Sequence, residues 1–187
     1  MAVTVSNILV GEAEVYIGDT GTAFASLTSV GATQDGVELS WEPDMVDIEV
    51  DQFGDAAKVI QSMVKVMAKT TLAEGTLANL AIAWGYDDTA GGDDIKTNQD
   101  GANTSTFMFG VENVYPIERR LKVVGNAPGS TASTTKTRTF QTKRAISFAA
   151  SSHSMKRAEA TVFPVEFRLL PESADTGYEY GKIIDQT

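Results

Sequence analysis

Apolar and polar positions alternate along most of this chain. Ala13, Val15 and Ile17 share one side of residues 12–18, and a turn follows at Gly18-Asp-Thr-Gly21. A second extended piece is expected over residues 24–33, with a hairpin signal at Asp35-Gly36. Val37, Leu39 and Trp41 then alternate with Glu38, Ser40 and Glu42 until Pro43 interrupts the run. Val46, Ile48 and Val50 alternate with Asp47, Glu49 and Asp51, giving one apolar and one acidic face. Gln52-Phe-Gly-Asp55 is the next turn, and residues 59–70 return with Met63 and Met67 opposite Val64, Val66 and Ala68. Alternation with period two is the signature of strands, so residues 44–70 read as a long hairpin with a projecting tip. Further strands are expected at residues 106–111, 119–124, 138–150 and 158–170, the last with Pro164 marking an edge or a bulge.

One segment breaks this rhythm. Thr71-Leu-Ala-Glu74 has the spacing of a capping box, and Leu72, Leu77, Leu80, Ala81 and Trp84 recur at helical spacing. Gly85 sits where a left-handed glycine would end the helix, so the expected helix is 71–84. Residues 85–105 and 125–137 are rich in Gly, Asp, Asn, Ser and Thr and read as flexible loops. Residues 1–11 and 174–187 read as terminal arms of a single domain spanning 1–187. The expected fold is mainly β, an antiparallel sandwich or barrel with one flanking helix.

Composition narrows the chemistry. The 187 residues include no Cys and a single His, which leaves no thiol chemistry, no Cys-ligated metal and no mechanism with two imidazoles. His153 lies in a polar Ser-Ser-His-Ser turn, and neither a phosphate-loop Gly-Lys-Ser/Thr nor a G-x-S-x-G elbow occurs. Asp87-Asp88 and Asp93-Asp94 are carboxylate pairs a hard cation could use, but the calcium-loop spacing fails around Asp100-Gly101. We therefore expect no catalytic set, cofactor or metal site. The aromatics Trp41, Trp84, Phe107, Phe109, Phe140, Phe148, Phe163 and Phe167 fall in periodic segments and are assigned to the core.

Net charge is −10, unevenly spread. Residues 1–118 carry 19 acidic and 4 basic side chains, and residues 119–187 carry 6 and 11. The halves either pair within one molecule or favour contacts between copies. The acidic total argues against specific nucleic-acid binding, and Arg119-Arg120-Lys122 and Lys143-Arg144 read as subunit contacts or sheet-face charges. No apolar run approaches the roughly 18 residues of a membrane span, and Met1–Val10 does not read as a signal peptide.

The order of these motifs carries a resemblance. Val46-Asp-Ile-Glu-Val-Asp51 runs into Gln52-Phe-Gly-Asp55, and a returning strand leads into Leu72-Ala-Glu-Gly-Thr-Leu-Ala-Asn-Leu80. This resembles the major tail tube protein of long, non-contractile-tailed bacteriophages, most clearly over residues 36–84. Gly75 departs from the helix pattern, since an interior glycine costs about 1 kcal/mol. The resemblance implies a virion protein whose hexameric rings stack into a hollow tube, with an inner β-barrel closed by strands of all six subunits. It implies assembly in the bacterial cytoplasm and contacts with copies of itself and with tape measure, terminator and distal tail proteins. DNA would pass through without specific binding. The acidic face of the hairpin, Asp47, Glu49 and Asp51, is the expected lumen lining, because carboxylates repel phosphate. The tip, Gln52, Phe53, Gly54 and Asp55, is the expected contact between rings. A decoration or adhesion module, or a terminator that stops at one ring, is the alternative.

Overall fold

The computed structural model describes residues 11–49, 51, 56–110, 116–131, 134–148, 151–155, 157 and 160–186. The tip residues Gln52, Phe53, Gly54 and Asp55, and most of the N-terminal arm, lie outside the described residues. Ten strands and one helix follow in the order β1 (Glu14–Asp19), β2 (Thr28–Ser29), β3 (Thr33–Glu49), β4 (Ala56–Leu72), α1 (Leu77–Trp84), β5 (Ile95–Thr97), β6 (Ser105–Phe107), β7 (Arg119–Asn126), β8 (Thr137–Ser147), β9 (Phe163–Leu169) and β10 (Lys182–Asp185). Eight form one antiparallel sheet in the order β2-β1-β7-β8-β9-β4-β3, with β10 paired to β8. β9 takes one part of the flank of β8, through Ala145, Ile146 and Ser147, and β10 takes another, through Arg138 to Gln141.

Connectivity forces this sheet to roll. β2 and β3 end the ladder six spacings apart, which would be about 29 Å if flat. Yet Ser29 is four residues from Thr33, a link of at most about 14 Å. The Thr33 hydroxyl accordingly reaches the Ala13 carbonyl at 3.1 Å, just before β1. The roll encloses one core. Val15 and Ile17, Leu121 and Val123, Phe140 and Ala145, Phe163, Val165, Phe167 and Leu169, and Val66, Ala68 and Leu72 form a contiguous cluster capped by Leu80, Ile82 and Ala83 of α1. Among the described residues no ladder joins β1 or β2 to β3, so the sheet is open.

Three local expectations are corrected. The helix is Leu77–Trp84, not 71–84, because Thr71 and Leu72 pair with Gln34 and Thr33 as the end of β4. The cap is Thr76, whose side chain accepts from the Asn79 amide at 3.1 Å, and Glu74 instead accepts from the Ala32 amide at 3.0 Å. Gly75 therefore lies outside the helix, and Gly85 ends it in the left-handed conformation (φ 81°). Asp35 and Gly36, both at positive φ, form no hairpin turn: they bulge within β3 between Gln34 and Val37. Pro43 does not break the strand, because β3 is the edge, where a missing N–H costs no ladder bond. Pro164 is tolerated by the same logic, since at that point β9 has only β4 beside it.

The segment after the helix is ordered by its own contacts. β5 and β6 pair, and Trp84, Tyr86, Phe107 and Phe109 form an aromatic cluster with centroids 5.4–5.9 Å apart. No helix among the described residues is long and apolar enough to cross a membrane.

Candidate functional site

β3 and β4 are each 17 residues long, but β9 supports β4 only from Val66 to Leu72. Beyond that point the hairpin continues as a two-stranded ribbon, from the Pro43–Val64 pair out to Glu49–Ala56. Two bulges, at Asp44/Met45 and Ile48/Glu49, sharpen its twist.

Strand alternation assigns its faces. Val37, Leu39, Trp41, Pro43, Met45, Asp47 and Glu49 share the side on which Val66 and Ala68 enter the core. Glu38, Ser40, Glu42, Asp44, Val46 and Ile48 share the other. Polarity thus inverts along β3. Near the body the apolar residues face the core side and the acids face out; near the tip Asp47 and Glu49 take the core side and Val46 and Ile48 face out. Asp47 and Glu49 are both exposed and share one side of β3, and Asp51 is exposed in the following turn. The cross-strand partners mix that pattern, because Asp47 faces Val59 and Ile48 faces Lys58.

Large apolar side chains remain in water on both ribbon faces. Trp41 is 59% exposed, Met45 54%, Val59 56% and Met63 61%, with Val46, Ile48 and Ile60 also exposed. Trp41 is the main correction to the aromatic assignment. Phe140, Phe163 and Phe167 are core and Trp84 and Phe107 are packed against it, but Trp41, Phe109 and Phe148 are exposed. At the base of the ribbon Trp41 meets Tyr180 edge-on, with centroids 6.2 Å apart, and the Tyr180 hydroxyl donates to the Val64 carbonyl at 3.4 Å. Here the ribbon and β10 form a fork. Its apolar cavity of about 300 Å³ is lined by Leu39, Trp41, Val66, Phe140, Tyr180 and Ile183.

Four of the eleven basic side chains of residues 119–187 form ion pairs among the described residues. Arg119 pairs with Asp88, Arg144 with Glu118 at 2.7 Å, Lys143 with Asp175 at 2.5 Å, and Arg138 with Asp185 at 2.6 Å. Hydrogen bonds from the two arginines hold the Glu118 and Asp185 carboxyls below the usual range. The Arg119-Arg120-Lys122 cluster splits by alternation. Arg119 is buried beside Leu121 and Val123, whereas Arg120 lies over the Phe24 ring and Lys122 over the Tyr16 ring. Shared parity with Leu121 and Val123 was the sequence signal for the inward residue. By contrast, Glu42, Asp44, Asp47 and Glu49 of the ribbon have no ion pair among the described residues, and neither do Lys58 and Lys65.

The other candidate groups are engaged singly. The Asp94 carboxylate accepts from the Asp87 amide at 2.8 Å, Asp87 accepts from the Thr89 amide at 3.0 Å, and Asp93 lies 3.6 Å from Lys96. Among the described residues no three metal-ligating side chains converge. His153 stacks on Phe163, with centroids 5.3 Å apart. No protein-family model matches the chain, and no curated protein matches it significantly.

Proposed function

We propose that this chain is a self-assembling structural subunit, most specifically the major tail tube protein of a long-tailed bacteriophage. The observation that carries the reading is the ribbon. An isolated two-stranded hairpin is marginal in water, and this one exposes Trp41, Met45, Val59 and Met63 on its two faces. Burying each such side chain is worth about 1.5–3 kcal/mol, so a second copy covering the ribbon has a large driving force. The rolled, open sheet supports the same reading, since pairing between copies removes free edges and closes a barrel that one chain leaves open.

In this reading hexameric rings stack into a tube in the virion tail, ribbons and terminal arms bridge the rings, and Gln52 to Asp55 touch the next ring. Asp47, Glu49 and Asp51 face a water-filled bore through which DNA slides without specific contacts. Terminator, tape measure and distal tail proteins bind the ends, and the chain performs no catalysis. Sedimentation velocity across a wide concentration range tests it. The expected result is monomer when dilute and growing polymer when concentrated; a single small species at every concentration contradicts it and favours a decoration module.

A further inference from the structure

The ribbon has two long edges of opposite charge. The outer edge is β3, which carries Asp35, Glu38, Glu42, Asp44, Asp47 and Glu49 and no basic residue. The inner edge is β4, which carries Lys58, Lys65 and Lys69 and no acid. Among the described residues β3 pairs only with β4. On β4, β9 covers 66–72 and the Tyr180 hydroxyl takes the Val64 carbonyl, leaving 58–63 without a paired strand on that side among the described residues. Those six residues match an average strand in length. Lys69 is already engaged by Glu166 at 3.1 Å, while Lys58, Lys65 and, across the fork, Lys182 have no ion pair among the described residues.

We propose that the free edge of β4 in the fork receives the distal edge of β3, residues 42–49, from a second copy of this chain. The claim rests on the self-assembly reading and names the strands that meet. Charge selects the pairing. Two β3 edges would set acid against acid, so the symmetric contact is disfavoured, whereas β3 against β4 sets acids against lysines. In the register already used inside the ribbon the free 58–63 takes residues 44–48, with Glu42 beside Lys65 at the flank, so each added copy extends an antiparallel meander. In that register Val46 of the incoming strand lies opposite Ile60 on the outward face, while Met45 stands on the core side, diagonal to Val59 and on the side of the apolar floor of the fork. Because donor and acceptor edges differ, the contact is heterologous and propagates or closes a ring.

Mixing complementary charge reversals tests this. One chain carries Glu42→Lys and Asp44→Lys, which brings residues 42–49 from a net charge of −4 to zero and sets a lysine opposite Lys65. The other carries Lys58→Glu and Lys65→Glu, which makes both its edges acidic. Circular dichroism verifies that each is folded, and Glu42→Gln with Asp44→Asn serves as the milder variant if a reversal unfolds. The expected result is that each reversed chain alone pellets about tenfold less polymer than wild type, and that an equal mixture restores it. Wild-type assembly by either reversed chain alone, or no recovery on mixing, overturns the strand assignment and leaves self-assembly standing. Absence of wild-type polymer overturns both.

Discussion

Arg119 shows how one residue ties a loop to the sheet. It opens β7 with its side chain 2% exposed, donating to the Asp88 carboxylate and to the Tyr86 carbonyl, and so pins the segment after α1. Breaking a buried pair leaves the partner uncompensated. Arg119→Met should therefore lower the unfolding free energy by about 3 kcal/mol, read from urea denaturation. An unchanged midpoint would mean that Asp88 and the Tyr86 carbonyl are served by water. A second residue-level prediction concerns acid. The Arg138 and Arg144 guanidiniums depress Asp185 and Glu118, so these pairs contribute fully above the unfolded carboxylate pKa of about 4 and fade as pH falls through the lower folded values. Amide exchange of β10 should accelerate below pH 4 before that of β7 or β9; equal protection of all three strands would contradict this. Neither partner of Arg119 was legible in the sequence, because Asp88 and Tyr86 lie across a loop whose composition gave no register. The inward direction of Arg119 was missed as well, because its place in a basic cluster with Arg120 and Lys122 reads as surface charge, although its parity with Leu121 and Val123 carried the signal.

At the scale of elements, local chemistry competed with tertiary pairing. Thr71 and Thr76 both suit a helix cap, and the spacing to Glu74 favoured Thr71. The sheet decided otherwise, because Leu72 is wholly buried and pairs with both Thr33 and Phe163. The helix that remains has eight residues, too short to stand without its cap and its packing. Thr76→Ala should cost about 1 kcal/mol in a denaturation measurement and Thr71→Ala should leave the helix cap intact; the reverse order would restore the longer helix. The strands were legible because alternation follows directly from the pleat. The Asp35-Gly36 bulge was not, since the same positive-φ pair serves a hairpin turn or a bulge, and only the partner strand distinguishes them.

At the scale of the molecule, body and ribbon divide the work. The rolled sheet and α1 hold a core that owes nothing to residues beyond Pro43 and Val64, apart from the Tyr180 contact at the base. Replacing residues 44–63 with Asn-Gly should therefore leave a folded monomer within about 1 kcal/mol of the parent, since exposed residues contribute little to stability. The shortened chain should not polymerise. Loss of folding would instead make the ribbon part of the core. The sequence made the hairpin visible but not its exposure, because Trp41, Met45 and Met63 have the same spacing whether the body or a neighbouring copy covers them. The central claim is that a second copy does. Negative-stain electron microscopy of the concentrated protein tests that most directly. The account predicts long uniform tubes with a stain-filled central channel; isolated rings would keep the covering copy and replace the tube with a terminator, and dispersed single particles at every salt and protein concentration would contradict the central claim.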